Sequence, residues 1–238
     1  MSFENWKRIW SERGYDQQIL DGNDIEKKFL ELKRISGFDV LDGQLDFDSF
    51  MGQYKNTIDG LSDDGRIAIQ SVYEIGCGGG ANLLLLEQDG IRCGGVDYSQ
   101  SLVDVAKYVL KSTDIACDEA VNASIEPVYD AVLSNSVFSY FPSEEYAESV
   151  LEKMYGKARY SIGILDIHDA NKQEDFIAYR KKTVENYEER YKGLEKFFYD
   201  KSFFEAFAHK HDMKIRFMES MMKNYWNNEF VFHCYMYK

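Results

Sequence analysis

The chain has 238 residues, which is enough for one domain with additions or for one and a half domains. Its net charge is −13, and residues 71–170 hold 16 acidic residues against 6 basic ones. Nucleic-acid binding relies on Lys and Arg to neutralise phosphates, so this balance argues against a nucleic-acid partner. The four cysteines have neither C-x-x-C nor zinc spacing, which favours reduced thiols in a cytoplasmic protein. Because the longest apolar run, Leu83–Leu86, is far too short to cross a bilayer, we expect neither a membrane span nor a signal peptide.

The first 65 residues predict a helical cap. Apolar residues recur there at intervals of three or four, as in Trp6, Ile9 and Trp10, in Ile25, Phe29 and Leu32, and in Phe50, Tyr54 and Ile58. Asn23 or Asp24 can cap the second of these helices, and Asp46 or Asp48 the third. Such apolar stripes are typical of packing against the domain that follows, and a lid over a substrate is the alternative.

From residue 71 the pattern alternates between strands and helices. The strand-like runs are Val72–Ile75, Ile91–Asp97, Asp114–Cys117, Ala131–Ser134 and Arg159–Ile167, and the helical runs between them are Ala81–Gln88, Leu102–Lys111 and Glu144–Tyr155. This alternation predicts a mostly parallel sheet with helices on both faces. Ligands of such sheets lie beyond the carboxyl ends of the strands.

The alternation stops after Asp169. Residues 171–196 are charged, rich in Tyr and predicted to be helical, which indicates an insertion at about 170–198. A further helix is predicted at Asp200–Lys210, and Ile215–Met218 and Phe230–Tyr237 predict two final strands that pair as a hairpin on the sheet edge. The chain therefore divides into a cap, residues 1–65, and an α/β domain, residues 66–238.

The stretch Val72–Asn82, VYEIGCGGGAN, joins the first strand to the first helix of this domain through four glycines. Glycine lets the chain turn through positive φ and lets a ligand approach the backbone, and the helix that follows presents unpaired N–H groups. Asp97 ends the next strand, where a carboxylate can bind ribose hydroxyls. The G-x-G-x-x-A pattern from Gly76 to Ala81 also serves NAD enzymes, and a tight surface turn is a further alternative.

Taken together, the chain resembles the class I S-adenosylmethionine-dependent methyltransferases. The similarity rests on the acidic–x–Gly–x–Gly loop from Glu74 to Gly80, on Asp97 in GVDYSQSLVDVA, on YDAVLSNSVFSYFP from Tyr129 to Pro142, and on the two-strand tail. It implies a Rossmann-like, doubly wound, mostly parallel seven-stranded sheet with an antiparallel C-terminal strand and an N-terminal helical cap. Glu74 before the loop, and the position of the loop behind a helical cap, favour this family over an NAD(P)-dependent oxidoreductase. A non-catalytic subunit that binds the cofactor is the other alternative.

The resemblance implies S-adenosylmethionine as cofactor. Glu74 would attract its ammonium group, the helix N-terminus near Asn82 its carboxylate, and Asp97 its ribose hydroxyls. Asp118 or Glu119 would contact the adenine, and Ser134 and Asn135 would face the methionine end. The candidate cofactor-binding residues are Glu74, Gly76, Cys77, Gly78, Asn82, Asp97, Tyr98, Asp118, Glu119, Ser134 and Asn135.

Catalysis by methyl transfer mainly requires alignment of the two reactants, but a hydroxyl acceptor also needs a base. The candidate base is His168, just past the fifth strand, where the flanking Asp166 and Asp169 could orient it or raise its pKa. The same trio could hold a divalent ion, but no metal is expected. Tyr140 is a second candidate, through cation–π attraction to the sulfonium. The expected acceptor is a small molecule, such as a sugar or another metabolite with a hydroxyl group.

Overall fold

The structure, a computed structural model, describes residues 2–38 and 45–238. Met1 and residues 39–44, which the predicted cap includes, lie outside the described residues. Four helices precede the sheet and six accompany or follow it in these ranges: α1 (Ser2–Ser11), α2 (Gln17–Asp21), α3 (Ile25–Ile35), α4 (Phe47–Leu61), α5 (Ala81–Gln88), α6 (Gln100–Val109), α7 (Glu144–Lys157), α8 (Gln173–Thr183), α9 (Tyr187–Arg190) and α10 (Lys201–Lys210).

Seven strands form one sheet: β1 (Ser71–Ile75), β2 (Arg92–Asp97), β3 (Ile115–Cys117), β4 (Tyr129–Asn135), β5 (Ala158–His168), β6 (Lys214–Glu219) and β7 (Val231–Tyr237). The spatial order is β3-β2-β1-β4-β5-β7-β6. Strands β1 to β5 are parallel, and β7 is antiparallel to both β5 and β6. The predicted doubly wound sheet and its C-terminal hairpin are therefore confirmed. The order reverses between β1 and β4, and this switch point is where such folds bind ligands.

Helix boundaries follow from local capping chemistry. The Asp24 carboxylate accepts a hydrogen bond from the N–H of Lys27 and begins α3, and Asp46 does the same for Ser49 in α4. Of the two alternative caps predicted for each helix, Asp24 and Asp46 are the ones used. The sequence predicts that the insertion is helical throughout. Its α-helices are α8 and α9, and the chain is not α-helical between them or after Arg190 to the end of the insertion.

Two hydrophobic clusters cover the two faces of the sheet. Neighbouring residues of β1 divide between them, Val72 in the first and Tyr73 in the second, because successive strand side chains point to opposite faces. The first cluster joins residues of α3 and α4, such as Phe29 and Phe50, to Leu83 of α5. The cap helices thus share one core with the sheet domain, and the boundary between residues 65 and 66 stays a prediction.

None of the helices within residues 2–38 and 45–238 is both long enough and apolar enough to cross a membrane.

Candidate active site

The glycine loop turns sharply where β1 ends. Gly76, Gly78 and Gly80 have φ values of +74°, +53° and +85°, a region that L side chains rarely adopt. A Cβ on Gly76 would lie 2.4 Å from a methyl carbon of Val137. Gly80 precedes α5 without a side-chain cap, so the first N–H groups of that helix are not occupied by a capping side chain. The loop therefore provides an uncapped helix N-terminus at the switch point of the sheet.

A large cavity of about 830 Å³ lies beyond the carboxyl ends of the strands. The ends of β1, β2, β4 and β5 form its floor, α1 and α3 form one side, and the 171–198 region with Tyr225 and Trp226 forms the other. The cavity is large enough for a drug-sized ligand. The cavity extends from the glycine loop to the insertion. It therefore connects the predicted cofactor-binding loop with the predicted insertion.

Asp97 lines this cavity at the end of β2 and is held by two backbone groups. Its Oδ2 accepts a hydrogen bond from the N–H of Gly78 and its Oδ1 from the N–H of Ser99, both at 2.9 Å. Burial raises the pKa of Asp97 above its ordinary value, and these two hydrogen bonds oppose that rise. Each carboxylate oxygen keeps a further lone pair for a hydroxyl donor.

A chain of three polar side chains connects β1, α5 and α3. Lys33 donates to Oδ1 of Asn82 at 2.8 Å, and Nδ2 of Asn82 donates to Oε1 of Glu74 at 2.6 Å. Glu74 is only 2% exposed, and its Oε2 has no hydrogen-bond partner within the described part of the chain. Burial raises the pKa of Glu74 to about 7, opposed by the Asn82 hydrogen bond and the Lys33 charge. The site thus has a buried acceptor oxygen that suits a cationic ligand group.

Asp166 lies at a bulge of β5, where the pairing with β7 shifts between Ile164 and Ile167. Its φ is +61°, an unusual conformation for a residue other than glycine. Its Oδ2 accepts hydrogen bonds from the hydroxyls of Ser136 at 2.8 Å and Tyr225 at 2.6 Å. The residue is 3% exposed, and its Oδ1 has no partner among the residues described. Asp166 therefore contributes a second unpaired buried oxygen to the cavity wall.

His168 is buried and held at both ring nitrogens. Its Nδ1 lies 2.7 Å from the hydroxyl of Ser139, and its Nε2 lies 3.5 Å from the ammonium of Lys196. Because an ammonium only donates, Nε2 acts as the acceptor and Nδ1–H donates to Ser139. Burial, with the charges of Lys196 and Arg180, lowers the pKa of His168 well below its ordinary value.

The prediction that Asp166 and Asp169 raise this pKa is wrong. Asp166 is bonded to Ser136 and Tyr225, and Asp169 accepts from the N–H of Asn171 to begin a short 3₁₀ helix, so neither acid is hydrogen-bonded to the His168 ring. In residues 2–38 and 45–238 no group of three His, Cys, Asp or Glu side chains is arranged to hold a metal ion.

Residues 73–159 match the family model of a methyltransferase domain. Residues 73–159 are thus similar to a methyltransferase domain. The match agrees with the family that the sequence resemblance predicted, and the strand order confirms the predicted Rossmann-like fold.

Solved structures with the fold of this methyltransferase domain cover nearly the whole chain. Magnesium protoporphyrin IX methyltransferase (ChlM) from Synechocystis PCC 6803 with bound SAM aligns with a TM-score of 0.57 and 16% identity over 99% of this chain and 90% of its own. The plantazolicin methyltransferase BpumL, in complex with a pentazolic desmethylPZN analog and SAH, aligns with a TM-score of 0.61 and 15% identity over 99% and 98%. An S-adenosylmethionine-dependent methyltransferase from Clostridium acetobutylicum ATCC 824 aligns with a TM-score of 0.60 and 12% identity over 87% and 97%. Likeness at this level of identity establishes the fold alone.

One curated protein is similar in sequence to this chain. The nonribosomal peptide synthetase dtxS1 of Metarhizium robertsii is 28% identical over 158 residues, which cover 61% of this chain. The matched region is only 2% of the length of that synthetase.

Most of the predicted cofactor residues of the methyltransferase domain line the cavity together: Glu74, Gly76, Cys77, Gly78, Asn82, Asp97, Tyr98, Asp118 and Asn135. Two do not line it. Glu119 pairs with Lys7 of α1 instead, which distinguishes it from Asp118. Ser134 is fully buried within β4. All these assignments to a cofactor stay predictions.

The ring of Tyr140 also lines the cavity and lies against the cap. The edges of Trp6 and Trp10 meet it with centroids 4.8 and 5.8 Å away. The ammonium of Lys196 is 5.4 Å from its centroid. Tyr140 is therefore already close to one cation, and its predicted attraction to a sulfonium stays a prediction.

The sequence interpretation missed several residues that line the cavity of the methyltransferase domain, chiefly Lys33, Arg180, Lys196, Tyr225 and Trp226. A signal existed for Lys33, which follows Phe29 by four residues and thus lies on the apolar face of α3. The others belong to the insertion or to the last loop, where no periodic pattern indicates which side chains face inward.

Proposed function

We propose that this chain transfers a methyl group from S-adenosylmethionine to a small molecule, with a metabolite hydroxyl such as that of a sugar as the acceptor. The observation that carries the proposal is the Asp97 carboxylate, held by the N–H groups of Gly78 and Ser99 at the wall of the cavity. The carboxylate beside a glycine loop suits the two adjacent hydroxyls of a ribose.

The donor set of the site fits S-adenosylmethionine. The unpaired Oε2 of Glu74 suits the ammonium of the methionine part, and Lys33 with the N-terminus of α5 suits its carboxylate. Asp118 is the acid that lines the cavity near β3 and would accept from the adenine amine. When bound, the cofactor supplies an electrophilic methyl group on a sulfonium. The residues named here would hold it in place.

We propose that Asp166 faces the acceptor and takes up its hydroxyl proton. Its Oδ1 is buried without a partner in the described residues, while its Oδ2 is fixed by Ser136 and Tyr225. A carboxylate with one fixed and one unpaired oxygen is arranged to accept a further hydrogen bond. His168 is a weaker candidate, because its low pKa makes the ring a poor base and its Nε2 already faces Lys196.

Binding of S-adenosylhomocysteine, measured by calorimetric titration, tests this function. Asp97→Ala is expected to weaken binding by about a hundredfold, since it removes charge-assisted bonds to both ribose hydroxyls. Asp166→Asn should keep the wild-type affinity, because Asp166 lies on the acceptor side. Once an acceptor is identified, Asp166→Asn should lower kcat by about a hundredfold.

Asp104→Ala is the matched control, because Asp104 is exposed and accepts a hydrogen bond from Gln100 on the outer face of α6. Absence of binding to the wild type, or equal affinity of the wild type and Asp97→Ala, contradicts the proposal.

We also propose a cytoplasmic location and no nucleic-acid partner. The free, buried thiols of Cys77, Cys93 and Cys234 suit a reducing compartment. The net charge of −13 disfavours binding to phosphate backbones.

A further inference from the structure

Two cations lie on the wall of the cavity that the insertion provides. Lys196 follows α9, and its ammonium is 3.5 Å from Nε2 of His168 and 5.4 Å from the centroid of Tyr140. Arg180 of α8 donates to the hydroxyl of Tyr191 at 2.8 Å and lies 4.7 Å from the centroid of Trp226. Both cations lower the pKa of His168, so both act on the same small region.

Neither cation forms an ion pair with a carboxylate of the described residues. Within residues 2–38 and 45–238, no carboxylate oxygen lies within 4 Å of the Lys196 ammonium or the Arg180 guanidinium, although the protein as a whole is strongly acidic. The Asp166 charge acts on Lys196 from farther away, but its Oδ2 is bonded to Ser136 and Tyr225. Burial accordingly lowers the pKa of Lys196 to about 8, which leaves it mainly protonated at neutral pH. Two adjacent, unpaired cations are costly unless a ligand brings negative charge.

Aromatic rings surround the two cations. Tyr179 stacks on Trp226 with centroids 5.6 Å apart and planes within 5° of each other, and Phe176 packs on the same group. The guanidinium of Arg180 lies over the ring of Trp226 and donates to the Tyr191 hydroxyl, and most of its N–H donors are not used within the described part of the chain. The wall therefore combines a planar apolar surface with two fixed positive charges.

We propose that the methyl acceptor is an aromatic compound with an anionic group, and that Lys196 and Arg180 bind that anion. The inference rests on the proposed function, since it assigns the acceptor end of the same cavity. The anion neutralises the paired cations, and the ring packs on Trp226 and Tyr179. The nucleophilic hydroxyl of the compound is then directed towards Asp166, which lines the same cavity.

Ligand-observed NMR with a matched pair of probes tests the proposal on protein saturated with S-adenosylhomocysteine. The probes are 4-hydroxyphenylacetate and 4-hydroxyphenylacetamide, which share ring and hydroxyl and differ in charge. The carboxylate is expected to bind at least about tenfold more tightly than the amide at neutral pH, because it gains charge-assisted hydrogen bonds. Lys196→Met should abolish the preference, and Lys196→Arg should retain most of it.

Lys192→Met is the matched control, because Lys192 is exposed in the same segment and does not line the cavity. It should keep the preference of the wild type. Equal affinity for the two probes, no binding of either, or a preference that survives in both Lys196→Met and Arg180→Met overturns the proposal.

Titration of S-adenosylhomocysteine in the same samples separates the acceptor assignment from the proposed function. If it binds and the probes show no preference, the acceptor assignment alone fails; if it does not bind, the proposed function fails.

Discussion

Glu74 is a buried carboxylate with one oxygen bonded and the other unpaired among the described residues. Burial raises its pKa to about 7, so Glu74 holds a proton more readily than an exposed glutamate when no ligand is bound. An ammonium group next to it would favour the ionised form. Proton binding at Glu74 and cofactor binding are therefore expected to oppose each other.

The affinity for S-adenosylhomocysteine should accordingly depend on pH. The raised pKa of Glu74 means that the ligand-free protein holds a proton below about pH 7, and the ammonium must displace it on binding. Affinity should therefore rise as the pH increases towards about 7 and level off above it, with release of up to one proton per ligand. Titration calorimetry in two buffers of different ionisation enthalpy measures that proton directly.

Glu74→Gln should bind more weakly and show little dependence on pH over this range. Glu219→Gln, at the exposed end of β6, is the control and should keep the wild-type profile. A wild-type affinity that does not change between about pH 5.5 and 7 would show that Glu74 does not face the ammonium.

At the scale of elements, the loop between β1 and α5 and the bulge in β5 position the candidate site. Both depend on residues with positive φ: the glycines of the loop in one case, and Asp166 in the other. The bulge shifts the register by which β5 pairs with β7, and Asp166 sits within it at the cavity wall. Local backbone conformations of this kind are retained where the surrounding structure supports them.

Gly76→Ala should destabilise the protein by about 1 to 3 kcal/mol, because a Cβ would strain a backbone at φ +74° and meet Val137 at 2.4 Å. Gly52→Ala is the matched variant, and it should change the free energy of unfolding in the opposite direction. Gly52 lies in α4 with open space around it, so alanine should stabilise by about 0.5 to 1 kcal/mol. Urea denaturation measures both changes in the free energy of unfolding. A stability of Gly76→Ala equal to that of the wild type would contradict the strain argument.

At the scale of the whole molecule, the cap and the sheet domain share a hydrophobic core. Phe29 and Leu32 of α3 and Phe50 of α4 are in the same cluster as Val72 of β1 and Leu83 of α5. The cap also contributes Trp6, Trp10 and Lys33 to the cavity. The site is therefore complete only when α1 and α3 are packed on the sheet.

Unfolding should consequently be a single transition. In Trp226→Phe the remaining tryptophans, Trp6 and Trp10, are both in α1, so fluorescence reports on the cap while far-UV circular dichroism reports on the whole fold. The two signals should give the same denaturant midpoint in that variant. An earlier fluorescence transition would instead show that α1 detaches from a sheet domain that stays folded.

The sequence by itself determined the order of strands and helices along the chain, the glycine loop, the position of Asp97 at the end of β2, and the resemblance to methyltransferases. These features depend on local pattern: alternation in strands, helical spacing, and glycines where the backbone must turn.

Only the tertiary structure decided which distant side chains meet in the cavity. It joined Lys33 to Glu74 through Asn82, and it placed Lys196 beside His168. It also distinguished Asp118 from Glu119, because the Lys7 partner of Glu119 comes from a helix 112 residues away along the chain. Such contacts depend on how elements pack, and no local periodicity encodes them.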